Sequence, residues 1–245
     1  MASMAQSLDG RVVIVTGASS GIGRATALAA AAAGARIVLV ARRRESLEDV
    51  CAAIGKAGGR AQVVAADLTD PAAAQQVVGA VLSVWGQIDA VVNAAGINIR
   101  ERALDQLTPE SWTSMLETNL SAAFHVTHAV VPIFRANGGG LIVYIASSAA
   151  KKPDRSGVAY QAAKAGLVGL AHGTMEEERA NGLRTTVIFP GMTDTPLLLK
   201  RPSATPPEAL AHALQPDDVA AACLFVLDLP PRAHVPELVI YPSRL

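Results

Sequence analysis

Residues 12–23 read VVIVTGASSGIG and carry the main fold signal of the chain. Four apolar, β-branched residues begin the segment, and three closely spaced glycines end it: Gly17, Gly21 and Gly23. A continuous apolar run is typical of a parallel strand buried on both faces, and glycines allow the tight turn that follows. An alanine-rich helical pattern comes next. The order strand, turn, helix presents a helix N-terminus that can bind an anion such as a pyrophosphate.

Strand-like and helix-like segments alternate along the whole chain. Asp70-Pro71 and Thr108-Pro109 are typical helix starts, and Gly34 and Gly182 follow predicted helices at positions where a helix ends. The predicted strands are 11–16, 36–40, 60–65, 88–93, 141–146, 185–189 and 238–240. Such alternation predicts an α/β fold: one doubly wound domain over residues 1–245, with a seven-stranded parallel sheet and helices on both faces. Ligands of such sheets bind at the carboxyl ends of the strands.

Composition excludes several function classes. The 21 basic and 21 acidic residues give a formal net charge of zero, which provides no argument for nucleic acid or an anionic membrane as partner. Residues 1–7 are short and polar, so we expect a disordered or loosely ordered terminus rather than a signal peptide. Cys51 and Cys223 lie in apolar helical patterns and are expected to be free thiols. We therefore expect a cytoplasmic protein without membrane, nucleic-acid or metal partners.

The segment Thr16–Gly23, TGASSGIG, resembles the cofactor motif of the short-chain dehydrogenase/reductase family. Its glycine spacing differs from the G-x-G-x-x-G of the standard dinucleotide motif. The resemblance extends from Leu8 to about Ile240. It implies a single Rossmann-type domain that transfers a hydride between a nicotinamide cofactor and a carbonyl or alcohol carbon.

The residues after the second predicted strand bear on the choice of cofactor. An NAD-selective site usually has an acid here, but this chain has Ala41 followed by Arg42. A guanidinium suits the additional phosphate of NADP, and Arg24 could assist. The alternative is a solvated basic helix start, with Glu45 and Glu48 as partners. The sequence favours NADP over NAD.

The resemblance also implies the remaining cofactor contacts. Asp67 would accept from the adenine amino group, and Asn93 would connect neighbouring strands. Ala94 departs from the usual Asn-Asn-Ala-Gly pattern, and Thr195 and the backbone near Thr193 would contact the carboxamide and phosphates. The full implied set is Gly17, Ser19, Ser20, Gly21, Ile22, Gly23, Arg42, Asp67, Leu68, Asn93, Ala94, Gly96, Tyr160, Lys164, Pro190, Gly191, Thr193 and Thr195.

Four residues match the catalytic set of the family: Asn119, Ser147, Tyr160 and Lys164. Tyr160 and Lys164 are four apart and therefore share one helix face. Tyr160 would exchange the proton, Lys164 would lower its pKa and hold the ribose hydroxyls, and Ser147 would bond the substrate oxygen. Asn119, a poor helix-interior residue, would kink its helix or hold a water that relays protons. Ser148 is the alternative to Ser147.

The predicted activity is NADP(H)-dependent reduction of a small ketone or aldehyde, or oxidation of the corresponding alcohol. Two alternatives stay open at this point. One is a catalytically silent nucleotide-binding regulator or structural subunit, since fold alone does not establish function. The other is an epimerase or dehydratase that uses a bound cofactor. The family resemblance also implies a homo-oligomer, either a dimer or a tetramer.

Two further segments concern the substrate. Residues 192–215, named the lid segment here, are proline-rich and long for a connection, which predicts a cover over the substrate. Basic residues also follow the fourth and fifth strands: Arg100, Arg102, Lys151, Lys152 and Arg155. They either favour an anionic substrate or are solvated loop charges, as most surface charges are.

Overall fold

A computed structural model describes residues 8–244, so the terminus predicted over residues 1–7 lies outside the described residues. Seven strands form one parallel sheet in the order β3-β2-β1-β4-β5-β6-β7. They are β1 (Val12–Thr16), β2 (Arg36–Ala41), β3 (Arg60–Ala65), β4 (Ala90–Asn93), β5 (Gly140–Ile145), β6 (Leu183–Pro190) and β7 (Glu237–Ile240). The predicted seven-stranded parallel sheet is confirmed.

Within residues 8–244, eight α-helices connect and cover the strands. They are α1 (Gly21–Ala32), α2 (Arg44–Lys56), α3 (Pro71–Trp85), α4 (Pro109–Leu116), α5 (Ala122–Ala136), α6 (Val158–Glu178), α7 (Pro207–His212) and α8 (Pro216–Asp228). The predicted start signals are confirmed at α3 and α4. Asp70 accepts from a backbone N–H of the first turn of α3, and Thr108 forms a capping box with Ser111 at the start of α4.

The core consists of two apolar layers on opposite faces of the sheet. Val13 and Val15 of β1 face one layer, which α1, α2 and α8 complete. Val12 and Ile14 face the other layer, which α3, α5 and α6 complete. Because both faces of β1 are covered, all five of its residues are buried, which is the physical reason for its uninterrupted apolar sequence.

The sheet order reverses between β1 and β4, which run side by side. Thr16, the last residue of β1, pairs with Val40 of β2 on one side and with Asn93 of β4 on the other. The turns after β1, β2, β4, β5 and β6 therefore meet at one edge of the sheet. In doubly wound sheets this edge holds the ligand-binding crevice.

The lid segment contains more regular structure than its sequence suggests. It includes a 3₁₀ helix, Pro196–Lys200, and the short helix α7. Its two ends are joined by backbone hydrogen bonds, from Asp194 N to Leu214 O (2.7 Å) and from Leu214 N to Met192 O (2.9 Å). The segment is thus a closed loop with a fixed base, and its role as a lid stays a prediction.

Candidate active site

A cavity of about 670 Å³ opens at the carboxyl ends of the strands. This volume is typical of small-molecule and cofactor sites. Most of the residues predicted from the sequence line it: Gly17, Ser19, Ser20, Gly21, Ile22, Gly23, Arg42, Asp67, Leu68, Ala94, Gly96, Ser147, Tyr160, Lys164, Pro190, Gly191 and Thr195. Asn93, Thr193 and Asn119 are buried behind this lining.

The glycines after β1 make a turn that no other residue could form without strain. Gly17 has φ +65°, and a Cβ there would lie 2.8 Å from the backbone of Ala94 and Ala95. A Cβ on Gly23 would collide with the carbonyl of Gly17. The glycines therefore bring α1 against the end of β1 and bring the loop after β4 against the turn, which shapes the cavity wall.

The N-terminus of α1 fits a phosphate group. Ser20 is the N-cap, yet its side chain makes no capping hydrogen bond to the first turn. Ser19, Ser20 and Gly21 all line the cavity. The first N–H groups of α1 thus lack their usual side-chain acceptor, and they lie where the pyrophosphate of a dinucleotide would be held.

The adenosine end of the cavity combines one acid with two arginines. Asp67 accepts hydrogen bonds from the backbone N and from Oγ1 of Thr69. These hydrogen bonds and the nearby charge of Arg42 lower the pKa of the Asp67 carboxyl, although burial acts in the opposite direction. Arg42 and Arg43 line the cavity and are exposed. Arg42 forms no ion pair within residues 8–244. Its guanidinium is therefore available to a ligand phosphate.

Thr16 has a role that the sequence analysis did not assign. Its Oγ1 accepts from the backbone N–H groups of Ala94 and Ala95, both at 3.2 Å, and so fixes the loop after β4. The connection of neighbouring strands by Asn93 stays a prediction, and its buried Nδ2 has no hydrogen-bond partner within the described residues. Two sequence signals mark Thr16: it begins the TGASSGIG motif, and it is the last, polar residue of an apolar strand.

Tyr160, Lys164 and Ser147 meet at the other end of the cavity. Tyr160 and Lys164 lie one turn apart on α6, with Nζ of Lys164 5.7 Å from the centroid of the Tyr160 ring. Nζ donates to the carbonyl of Ile145 (2.9 Å), which anchors the lysine to the end of β5. Ser147 follows this strand and lines the cavity, whereas Ser148 begins the 3₁₀ turn Ser148–Ala150.

Burial is the largest influence on the pKa values of Tyr160 and Lys164. It raises the pKa of Tyr160 to about 12, opposed by the Ser147 hydroxyl and by the charge of Arg102, while the charge of Asp154 adds to the rise. Burial lowers the pKa of Lys164 to about 8. The net direction is opposite to the lowering expected from Lys164, and the groups that act in the lowering direction are Ser147 and Arg102. At neutral pH the phenol is protonated and the ammonium is charged.

Asn119 lies in a π-helical turn, Glu117–Ser121, between α4 and α5. The sequence analysis expected a kink or a bound water there, and the π turn interrupts the helix at that point. The Asn119 side chain donates from Nδ2 to the carbonyl of Met115 (2.9 Å) and accepts at Oδ1 from the N–H of Ile97 (3.0 Å). A Cβ on Gly96 would lie 2.9 Å from this Oδ1 and 3.3 Å from Nζ of Lys164. Gly96 therefore lets the loop after β4 pass closely over both side chains.

The five basic residues noted in the sequence differ in their surroundings. Lys151 pairs with Glu237, while Lys152 and Arg155 are exposed. Arg102 is only 8% exposed, so it is not a solvated loop charge. Sequence reasoning missed Asn98, which lines the cavity and lies beside Tyr160. Leu197 and Lys200 of the lid segment also line the cavity, and Leu197 packs against the apolar cluster that contains Tyr160.

A family model described as short chain dehydrogenase matches residues 11–205. The chain belongs to the short-chain dehydrogenase/reductase family. Among curated relatives, it is 37% identical over 225 residues to D-threitol dehydrogenase of Mycolicibacterium smegmatis, covering 89% of this chain and 86% of the relative. Family membership makes the chain an oxidoreductase with a Rossmann-type nicotinamide-cofactor fold.

Solved structures agree with this assignment. A metagenomic short-chain oxidoreductase in complex with NADP matches with a TM-score of 0.84 at 33% identity, covering 97% of this chain and 100% of the other. A 3-ketoacyl-(acyl-carrier-protein) reductase from Brucella melitensis, complexed with NADH, matches with a TM-score of 0.88 at 29% identity, covering 96% and 98%. These two structures support a nicotinamide cofactor. One of them is bound to NADP and the other to NADH.

Within residues 8–244, no group of three or more His, Cys, Asp or Glu side chains is arranged to hold a metal ion. Every helix in the same range is too short or too polar to cross a lipid bilayer.

Proposed function

We propose that this protein is an NADP(H)-dependent reductase of small ketones or aldehydes. One observation carries the proposal: Ser147, Tyr160 and Lys164 line the same cavity as the glycine turn and the N-terminus of α1. Residues of the glycine turn and of the N-terminus of α1 would hold a nicotinamide cofactor in this cavity, and the three polar side chains would act on the substrate carbonyl. When bound, the cofactor would supply the hydride, and the chain's residues position and polarise the carbonyl group.

The preference for NADP rests on the charge at the adenosine end. β2 ends at Ala41 instead of an acid, and Arg42 and Arg43 line the cavity directly after it. An acid at that position would repel the 2′-phosphate, whereas a free guanidinium binds it through charge-assisted hydrogen bonds. Among the described residues that line the cavity, Asp67 is the only acid.

The proton chemistry follows from the buried position of Tyr160. In the reductive direction, the carbonyl carbon gains the hydride and the carbonyl oxygen gains the phenolic proton, which yields an alcohol. The high pKa of Tyr160 keeps that proton on the phenol at neutral pH until charge develops on the oxygen. Ser147 would donate to the same oxygen, and the ammonium of Lys164 would stabilise the resulting phenolate and hold the ribose hydroxyls.

Other predicted properties remain proposals as well. Pro196, Leu197 and Lys200 of the lid segment line the cavity, which supports a lid that covers the substrate. Cys51 and Cys223 are free thiols, which supports a reducing, cytoplasmic location. We also propose a homo-oligomer.

The proposal is tested by cofactor oxidation with a panel of ketones and aldehydes, using NADPH and NADH in parallel. Wild-type protein is expected to oxidise NADPH only when a carbonyl compound is present. Tyr160→Phe is expected to lose turnover by roughly 10²-fold or more, because general acid catalysis contributes about that much, while its affinity for NADPH is retained.

Undiminished turnover in Tyr160→Phe would overturn the assignment of Tyr160. Tight NADPH binding without turnover on any carbonyl would favour a silent nucleotide-binding protein. Product formation without net cofactor oxidation would favour an epimerase or a dehydratase.

A further inference from the structure

Two loops that carry four basic residues meet beside the Tyr160 end of the cavity. Arg100 and Arg102 belong to the loop after β4, and Lys200 and Arg201 belong to the lid segment. Arg100 donates to the carbonyl of Leu199 (3.2 Å), and Arg102 donates to the carbonyl of Lys200. The two loops are thus joined by arginine-to-carbonyl hydrogen bonds, and Arg201 lies close enough to act on Arg102 through its charge.

This positive charge is not neutralised by the protein. None of the four side chains forms an ion pair in the part of the chain that the structure describes. Within the described residues, Arg102 donates to two carbonyl oxygens, those of Ile99 and Lys200, and its pKa is lowered by burial and then by the charge of Arg201. Tyr160 and then Asp154 act on Arg102 in the opposite direction. A buried cation whose charge is unpaired is costly unless a ligand anion compensates it.

The cluster lies next to the reacting group. Lys200 lines the main cavity together with Tyr160. Arg102 lies beside Tyr160, Asn98 and Ser156 in a closely packed crevice that has no room for a ligand. The positive charge of Arg102 nevertheless acts on the phenol of Tyr160. Lys200 is therefore the cation of this group that lines the open cavity, and Arg102 contributes through its field.

The cofactor phosphates do not account for this cluster. The glycine turn and the N-terminus of α1 suit the pyrophosphate, and Arg42 and Arg43 suit the 2′-phosphate. These groups line other parts of the cavity, after β1 and β2. The positive charge at the Tyr160 end of the cavity is therefore available to bind a substrate. It would raise the local concentration of anions at that end.

Building on the proposed function, we propose that the substrate is an oxo acid, or the corresponding hydroxy acid, whose carboxylate is bound by Lys200 and by the field of Arg102. The carbonyl group would then lie at Tyr160 and the carboxylate toward the lid segment. Arg100 and Arg201 would add to the positive potential without contacting the substrate.

The test compares oxo acids with their methyl esters as substrates, with NADPH as reductant. Suitable pairs are 4-oxopentanoate and 2-oxobutyrate, each measured against its own ester. We expect the acids to be favoured by about tenfold or more in kcat/KM, as for one charge-assisted contact, and mainly through KM. The preference should shrink in about 1 M salt, where the Debye length falls to about 3 Å.

Variants identify the residues responsible. Lys200→Met should reduce the preference for the acid by about tenfold, through a higher KM for the acid. Lys152→Met, which removes another exposed lysine, is the matched control and should leave the preference intact. Arg102 is buried, so Arg102→Lys, which keeps the charge, serves as the second variant and should keep most of the preference.

The outcomes separate this inference from the proposed function. Reduction of esters and neutral ketones as fast as the acids would overturn the inference and leave the reductase assignment standing. A weaker NADPH affinity in Lys200→Met would assign that lysine to the cofactor and also overturn the inference. If no carbonyl is reduced, calorimetry with NADP⁺ and 4-hydroxypentanoate still tests the site. Binding of that acid but not of its methyl ester would support it, and binding of neither would overturn it.

Discussion

Removal of the Arg42 guanidinium should change cofactor selectivity without damaging the fold. Arg42 is exposed, lines the adenosine end of the cavity and forms no ion pair within residues 8–244, so Arg42→Ala breaks no bond inside the described protein. The loss is then that of its contact with the 2′-phosphate. A hydrogen bond to a charged group contributes about 1.5–3 kcal/mol, which corresponds to about 10- to 150-fold in Kd.

The assay is fluorescence titration of the variant with NADPH and with NADH at moderate ionic strength. The NADPH Kd should rise within the stated range, and the NADH Kd should stay unchanged. Arg44→Ala is the matched control, because Arg44 is a neighbouring exposed arginine that pairs with Glu48 at 3.9 Å and does not line the cavity. An equal loss for both cofactors, or no loss for either, would refute the role of Arg42.

Three further predictions concern the wall of the site, its titration and the fold. Gly96→Ala should lower kcat by up to about 10²-fold, because its Cβ would displace Asn119 and Lys164; an unchanged kcat would contradict the close approach. For the reduction, kcat/KM should be constant up to about pH 8 and fall above that pH, because Lys164 loses its charge while Tyr160 stays protonated. A rise in kcat/KM above pH 8 would refute this role of Lys164. Asp70→Ala should lower the free energy of unfolding by about 1 kcal/mol in urea titration through loss of the α3 cap, with activity intact.

Local patterns in the sequence predicted the sheet and its connections. The apolar run of β1 predicted a strand covered on both faces, and the caps at Asp70 and Thr108 fixed the starts of α3 and α4. These features depend on residues close in sequence and on the periodicity of apolar residues, so they can be predicted from the sequence alone. The family motifs also indicated most of the residues that line the cavity.

Features that depend on distant contacts could not be predicted in this way. Thr16 serves as an acceptor only because the loop after β4 lies beside β1. Arg102 has the sequence context of a surface charge, but its burial is set by the lid segment and by Gly157, where a Cβ would lie 2.8 Å from the Arg102 Cβ. The pKa of Tyr160 likewise depends on its burial and on neighbours from other elements, which the spacing of Tyr160 and Lys164 does not specify.

The most direct test of the central claim follows the hydride itself. The protein is incubated with NADPH deuterated at the transferable position and with a ketone that it reduces, and the alcohol is examined by mass spectrometry. The account predicts one deuterium on the carbinol carbon with wild-type protein and little labelled alcohol with Tyr160→Phe, although this variant still binds NADPH. Unlabelled alcohol, or equal labelling by both proteins, would contradict hydride transfer assisted by Tyr160 at this cavity.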